Sequence, residues 1–191
     1  MTKIDAHAGR AIAAALCLLA SPGAAAADGS AGESERFFLA EAESACKNGD
    51  FAAFLWPFAN SRAVRERYTS LYVMSGAPGR AREVPAERYL ASGDFPVMMI
   101  DYSYVTGASA RAFDAPGGGD PRQLVYVQVD FSTSPDGGER VDWVPGRFEP
   151  GEGDGPGTLI EKTGPGGHLD FQRTADCWQL TGDIRNPVAT R

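Results

Sequence analysis

Apolar residues in the first third of the chain recur at the intervals that place side chains on one face of an α-helix. A first helix is predicted over 34–48, with Ser34 as its N-cap and Asn48-Gly49 as its end. Its apolar stripe consists of Phe38, Ala42, Ala45 and Cys46. We expect this amphipathic helix to pack on the rest of the fold along that stripe.

Two further helices are predicted directly after the first. The segment 51–59 has the strongest amphipathic pattern in the chain, with apolar residues at its first, fourth, fifth, eighth and ninth positions. Pro57 lies inside this pattern, so we expect the second helix to kink or end near Trp56. Ser61 can start a third, short helix over 62–68.

Beyond residue 68 the hydrophobic period changes from about 3.6 to about 2, which is typical of β-strands. Strands are predicted over 70–74, 95–105, 124–132, 140–144, 158–162, 168–173 and 177–184. Turn residues at 135–138 and 164–167 favour hairpins between neighbouring strands. This order predicts an α+β fold, with two to three N-terminal helices packed on a curved antiparallel sheet of about five to six strands.

The first 27 residues have the composition of a cleaved secretory signal. A short basic lead precedes an apolar run over 11–20, and small residues follow at 24–27. The run is about half as long as a membrane-spanning helix, so removal is favoured over a retained anchor. We expect cleavage of residues 1–27 before Asp28, which leaves a single domain over 28–191 without stable membrane insertion.

This assignment places the protein in the periplasm or outside the cell, where disulfides form. Cys17 lies in the segment predicted to be removed, and its neighbours do not fit a lipoprotein cleavage site. The remaining Cys46 and Cys177 form an even pair, which predicts a structural disulfide. A reactive thiol or a metal site is the less favoured alternative, because the pair lacks a C-x-x-C spacing and residues 28–191 contain one histidine.

The predicted disulfide conflicts with the pattern of the last strand. If Cys46 lies on the apolar stripe of the first helix, Cys177 must face the helices. Alternation along the strand then turns Gln179 toward the helices, and Trp178 and Leu180 away from them. Either a β-bulge near Cys177 resets the alternation, or a partly polar cavity separates helices and sheet, with a second apolar layer or a partner on the outer face.

The charge of the chain narrows the range of partners. The chain has 18 Lys and Arg residues against 25 Asp and Glu residues, a net charge of −7 at pH 7. Binding to nucleic acid or to anionic lipid depends on clustered basic residues, so we expect neither partner. Short basic groups such as Arg62, Arg65 and Arg67 lie close to acidic residues and are typical of a solvated face.

Three predicted helices, over 34–48, 51–59 and 62–68, precede the sheet, with the local sequences 49–58 and 61–65 at their junctions. This succession resembles the nuclear-transport-factor-like, ketosteroid-isomerase-like α+β roll. The resemblance covers most of residues 28–191 in element order and includes no diagnostic motif. It implies a sheet that curls around the helices, often with a pocket between them. It implies no single function, because this fold hosts enzymes, ligand binders and interaction modules.

Few residues in the chain suggest chemistry. The resemblance implies that an enzyme of this fold would use a carboxylate base with a tyrosine or an acid opposite it in an apolar cavity. The candidate residues of these types are Asp101, Tyr102, Tyr104 and Asp130. His168, with Asp170 on the same strand face, could form an acid–base couple, but its place beside a glycine turn favours an exposed histidine. These five residues, from Asp101 to His168, are candidates for cavity or ligand contacts.

No motif assigns a catalytic residue, a metal site or a cofactor. The glycine-rich acidic segment 149–157 has neither the spacing of a phosphate-binding loop nor the ligand order of a calcium loop. Trp56, Trp143 and Trp178 are interpreted as core residues, since a sugar-stacking platform would need several exposed rings on one face.

The combined pattern favours a non-catalytic binding or accessory domain that recognises another protein or a small ligand. The first alternative is a small isomerase or dehydratase with its site in a helix–sheet cavity around Asp101 and Asp130. The second is an envelope inhibitor or immunity protein that presents loop 116–121 or loop 149–157. A homodimer is also compatible with the sequence.

Overall fold

The computed structural model of the chain describes residues 24–134, 136–149, 151 and 155–188. The basic lead and apolar run of the predicted signal, with Cys17, therefore lie outside the described residues, as do Pro135 and much of the 149–157 loop. Within the described part, no helix combines the length and the apolar character needed to cross a membrane.

Helices dominate the first part of the described chain and strands the remainder. The helices are α1 (Ala24–Asn48), α2 (Phe51–Asn60), α3 (Arg62–Tyr68), α4 (Ala86–Ala91) and α5 (Gly107–Asp114), with a 3-10 turn at Pro121–Gln123. The strands are β1 (Thr69–Gly76), β2 (Arg82–Pro85), β3 (Val97–Ile100), β4 (Ser103–Thr106), β5 (Val127–Thr133), β6 (Glu139–Glu149), β7 (Thr158–Lys162), β8 (Gly167–Arg173) and β9 (Trp178–Arg185).

The predicted α+β fold is confirmed, with helices packed on one main sheet. The sheet has seven strands in the order β2-β1-β9-β8-β6-β5, and β7 pairs with the second half of β6. It is mixed, because β1 and β9 pair in parallel. The expected sheet had five or six antiparallel strands. Alternation cannot reveal a parallel pair between strands that are far apart in sequence, because only hairpin neighbours are fixed as antiparallel by their turn.

Two helix boundaries differ from the predicted ones. The first helix already includes Ala24, the first described residue, and contains Ser34 in its interior, so Ser34 is not its N-cap. Alanines over 24–27 favour the helical conformation. The second helix does not end near Trp56 but continues through Pro57 to Asn60. Burial of the Pro57 ring and of the following turn against the core compensates for the single hydrogen bond that proline removes.

The segment predicted as one strand over 95–105 is a hairpin. Strands β3 and β4 pair in antiparallel register, and Asp101 and Tyr102 form the turn between them. Both turn residues have positive φ, a conformation usually signalled by Asn-Gly or Asp-Gly, so the Asp-Tyr pair gave no turn signal. The hairpin is joined to the main sheet at the bridge between Val105 and Tyr126.

Aromatic rings fill the space between α2 and the sheet. The ring of Phe51 lies 5.1 Å from Phe171 on β8, and that of Phe54 lies 5.4 Å from Trp178 on β9. The ring of Phe58 also lies 5.1 Å from that of Phe171. The helix–sheet contact is therefore a close-packed apolar core at this point rather than a polar cavity.

The predicted disulfide between Cys46 and Cys177 is confirmed. Cys177 lies in the turn before β9, so it contacts α1 without determining which side chains of the strand face the helices. Trp178 and Leu180 consequently face the helices and are 3 % and 0 % exposed. The expectation that these two residues face away from the helices is therefore wrong. Gln179 lines a separate cleft together with Cys46 and Tyr68.

A β-bulge is present further along β9. Asp170 pairs with Gly182 and Phe171 pairs with Leu180, so Thr181 is the extra residue on β9. The bulge resets the alternation and turns Asp183, rather than Gly182, toward the helices. The outer face of β5, β6 and β8 carries polar side chains, so no second apolar layer covers it in the described chain.

We expect the Cys46→Ala/Cys177→Ala variant to lose about 2–5 kcal/mol of unfolding free energy, because the bridge closes a loop with a sequence separation of 131 residues. Urea unfolding followed by circular dichroism measures the loss, and the reduced wild-type protein should match the variant. Peptide mapping without reductant should yield a cross-linked peptide containing both cysteines. Wild-type protein that keeps its stability under reductant would contradict this prediction.

Candidate functional site

The tip of the β3–β4 hairpin carries the most unusual backbone in the described chain. Asp101 has a φ of +45° and Tyr102 a φ of +61°, and they are the non-glycine residues with positive φ. Left-handed backbone costs a side-chain-bearing residue about 1–2 kcal/mol. Tyr102 is nevertheless 84 % exposed, so packing of its ring does not repay that cost. An exposed aromatic residue in a strained turn suggests a role in recognition.

Asn60 at the end of α2 holds this hairpin in place. Its amide oxygen accepts a hydrogen bond from the Met99 N–H at 2.8 Å, and its amide nitrogen donates to the Met99 carbonyl at 2.8 Å. The side chain thus pairs with β3 as a neighbouring strand would, and it satisfies two backbone groups of an edge strand. Trp56 lies one turn earlier on the same side of α2.

A groove lies between α2 and the hairpin tip, and we call it the aromatic groove. It has a volume of about 460 Å³ and is lined by Trp56, Met99, Asp101 and Tyr102. Among the described residues of this lining, only Asp101 carries a charge at neutral pH. The surface therefore combines two aromatic rings and a thioether with one carboxylate.

Two phenylalanines of α1 extend the aromatic surface beyond the groove. The rings of Phe37 and Phe38 lie 6.0 Å and 5.5 Å from that of Trp56, both in edge-to-face contact. Phe37 is 52 % exposed. Trp143 and Trp178 are buried, as expected of core residues, but the assignment of Trp56 to the core is wrong because it is half-buried beside the groove.

The sequence contains a signal for this surface that the helix patterns alone did not use. Phe37 and Phe38 are adjacent, so both cannot lie at the centre of one helical stripe. Trp56 falls outside the apolar positions of α2 that repeat at helical intervals. Met99 gave no signal, because its role follows from the hairpin that the sequence did not predict.

The structure separates the five candidate residues into three places. Asp101 and Tyr102 line the aromatic groove. Tyr104 lies on β4, half-buried against the core, and burial raises the pKa of its hydroxyl. Asp130 lies on the sheet face opposite the helices, because its neighbour Phe131 contacts Phe51 of α2. Asp101 and Asp130 therefore do not share a helix–sheet cavity.

His168 lies on the same outer sheet face as Asp130. Cross-strand pairing puts Asp142 between them, directly opposite both residues. His168 Nε2 is 3.5 Å from Asp170 Oδ2, and the other oxygen of Asp170 accepts a hydrogen bond from Arg140 at 2.7 Å. In the described part of the chain, no three His, Cys, Asp or Glu side chains are grouped so that they could hold a metal ion.

A buried ion network on the helix side of β9 was not predicted. Asp183 is 0 % exposed and accepts hydrogen bonds from the Tyr89 hydroxyl at 2.8 Å and from Arg185 at 2.7 Å. Arg185 also reaches the Asp94 carboxylate at 2.6 Å. Burial and the Asp183 charge together raise the pKa of Tyr89. For Asp94, burial favours a higher pKa, but Arg185 and Arg111 outweigh it and the pKa is lowered.

The space beside this network is too small for a substrate. The cleft that includes Tyr89, Asp94 and Phe95 has a volume of about 60 Å³. That volume accommodates about two water molecules. We therefore interpret the network as structural. It connects α4 and the segment before β3 to β9, and so stabilises the position of the hairpin.

The two loops considered for an inhibitor differ in how much of them is described. Segment 116–121 is mostly exposed and includes Gly117 and Gly119 at positive φ. Asp120 caps the 3-10 turn that follows it by accepting a hydrogen bond from the Arg122 N–H at 3.0 Å. Glu152 and Asp154 of the second loop lie outside the described residues.

No family model matches this chain, and no curated protein matches it. Among solved structures, the Kfla4162 protein from Kribbella flavida is similar, with 16 % sequence identity and a TM-score of 0.35. The alignment covers 83 % of this chain and 93 % of that protein. We draw no conclusion about fold or function from a similarity of this size.

We expect the Tyr102→Gly variant to be as stable as the wild type, or more stable by up to about 1 kcal/mol, because glycine adopts positive φ without a Cβ clash. Urea unfolding measures the difference. The matched Tyr104→Gly variant should lose at least about 2 kcal/mol, since Tyr104 lies in a regular strand with its ring against the core. Equal losses in the two variants would contradict the prediction.

We expect the Asp183→Ala variant to lose about 3–5 kcal/mol of unfolding free energy, because Arg185 and the Tyr89 hydroxyl lose their buried acceptor. Tyr89→Phe removes one hydrogen bond to a charged group and should cost about 1–3 kcal/mol. Urea unfolding at pH 7 compares both with Asp142→Ala, an exposed control that should change stability by at most about 0.5 kcal/mol. An Asp183→Ala loss no larger than that of the control would show that the network is not structural.

Proposed function

We propose that this protein is a secreted, periplasmic binding domain without catalytic activity, and that the aromatic groove is the site where it recognises a small molecule. The N-terminal composition supports secretion, and the Cys46–Cys177 disulfide is compatible with an oxidising compartment. The single domain predicted over 28–191 accounts for the groove, since α2 and the hairpin supply its lining.

The observation that carries the proposal is Tyr102, whose backbone has positive φ and whose exposed ring lines the same groove as Trp56. Folding alone would favour glycine or asparagine at this position. Tyrosine and tryptophan are enriched at recognition surfaces because they bury much area with few rotatable bonds. Contact with a ligand would therefore explain an aromatic side chain in this turn.

The positions of the acidic residues favour binding over the isomerase alternative. That alternative needs a carboxylate and an opposing acid or tyrosine in one enclosed cavity. Asp101 is exposed at the groove, while Asp130 is exposed on the other face of the sheet. The relation to the nuclear-transport-factor-like roll remains part of this proposal, supported by the three helices that precede the sheet.

Native mass spectrometry of the protein isolated from its producing cells tests the proposal. We expect a chain that lacks the first 27 residues and carries a non-covalent small-molecule mass. The Trp56→Ala variant should lose that mass, while Tyr72→Ala, which alters an exposed ring on β1 outside the groove, should keep it. Circular dichroism checks that both variants are folded.

Two results would contradict ligand binding at the aromatic groove, and a third would contradict secretion. A bare chain from wild-type cells would mean that the groove retains no ligand. A bound mass that persists in Trp56→Ala would place the binding site elsewhere. A chain that still begins at Met1 would contradict secretion by signal cleavage, independently of the result for the ligand.

A further inference from the structure

We infer that the aromatic groove binds the alkylated ammonium group of a small organic cation. This inference rests on the proposed function and names the chemical class of its ligand. Three features of the groove support it: its charge, its free aromatic faces and its small number of hydrogen-bonding groups.

The charge of the groove favours a cation. Within the described residues, Asp101 supplies the only charge of the lining, and its carboxylate has neither a hydrogen bond nor an ion pair. An anionic ligand would lie against this carboxylate without a compensating cation. A cationic ligand would gain a favourable Coulomb interaction at the edge of a partly desolvated surface.

In the described part of the chain, no cation lies over the aromatic rings of the groove. Elsewhere, arginine side chains already lie over aromatic rings: Arg65 over Phe95 at 5.3 Å, Arg67 over Tyr68 at 5.4 Å and Arg173 over Trp178 at 4.1 Å. No such contact involves Trp56 or Tyr102 among the described residues. Tryptophan and tyrosine are the strongest aromatic partners for cations, so a ligand cation at these rings would not compete with an arginine of the described residues.

The small number of hydrogen-bonding groups in the groove favours an alkylated ammonium over other cations and over sugars. A primary ammonium has three N–H donors that each need an acceptor, and a sugar has many hydroxyls to satisfy. Among the described residues, the side chains of the lining offer two acceptors, the Asp101 carboxylate and the Tyr102 hydroxyl, and the indole N–H of Trp56 as a further donor. The Asn60 amide is already occupied by β3. A quaternary ammonium has no N–H group, so its methyl groups can contact Trp56 and Met99 without unsatisfied donors.

Isothermal titration of the folded protein with choline and with its neutral isostere 3,3-dimethylbutan-1-ol tests the inference. The two probes have nearly the same shape and differ in charge. We expect choline to bind at least about tenfold more tightly than the isostere, as a cation–π site with a carboxylate requires. Tetramethylammonium should bind as well, which would show that the head group is sufficient.

Matched variants assign the effect to the groove. Asp101→Asn should weaken choline binding about five- to tenfold and leave the weak binding of the neutral isostere unchanged. Tyr102→Leu should weaken choline binding by a similar factor. The controls are Asp130→Asn, an exposed aspartate on the other sheet face, and Tyr72→Leu, a 56 % exposed tyrosine on β1. Neither control should alter the affinity for choline.

Several outcomes would overturn the inference. The inference fails if choline does not bind at millimolar concentration, binds no better than its isostere, or loses the same affinity in Asp101→Asn as in Asp130→Asn. If the natural ligand retained in native mass spectrometry is neutral or anionic and is lost in Trp56→Ala, the inference fails while the proposed function stands. If choline does not bind and no natural ligand is retained, both fail.

Discussion

The aromatic packing of α2 against β8 and β9 is the interaction on which the other parts of this structure depend. Buried aromatic side chains remove about 150–250 Å² each from water, and burial stabilises by about 25 cal/mol per Å² of apolar area. Phe51, Phe54 and Phe58 thus contribute several kcal/mol as a set. Because β9 lies between β1 and β8, their contact with Trp178 and Phe171 positions both halves of the sheet relative to the helices. The disulfide fixes α1 to the turn that leads into β9.

The same helix connects the core to the candidate site. One side of α2 carries the phenylalanines of the core, and its opposite edge carries Trp56 and Asn60. Asn60 satisfies the backbone of β3 with two hydrogen bonds, so the hairpin tip is positioned by the helix that the core immobilises. The Asp183–Arg185 network also binds Asp94, in the segment that leads into the hairpin. A surface groove built in this way is preorganised, which lowers the entropic cost of binding.

The sequence predicts what depends on local periodicity and on cysteine pairing. The helical stripes, most strands and the Cys46–Cys177 bridge follow from spacing and composition. The β3–β4 hairpin does not, because its Asp-Tyr turn adopts positive φ with residues that give no turn signal. The inward Asp183 depends on a bulge at Thr181, and a bulge shifts the alternation by one residue without a mark in the sequence. The groove could be predicted only in part, since Trp56 lies off the apolar stripe but its partners come from the unpredicted hairpin.

The arginines of this chain explain why a negative site can persist on its surface. Arg185 and Arg111 are paired with Asp94, Arg140 with Asp170, and Arg65 donates to the carbonyl groups at the end of α2. These cations are committed to internal contacts that stabilise the fold, and none of them reaches the hairpin tip. Among the described residues, Asp101 forms no ion pair and no arginine lies over the rings of Trp56 and Tyr102, so the negative charge of the groove is not offset by a neighbouring cation of the described chain.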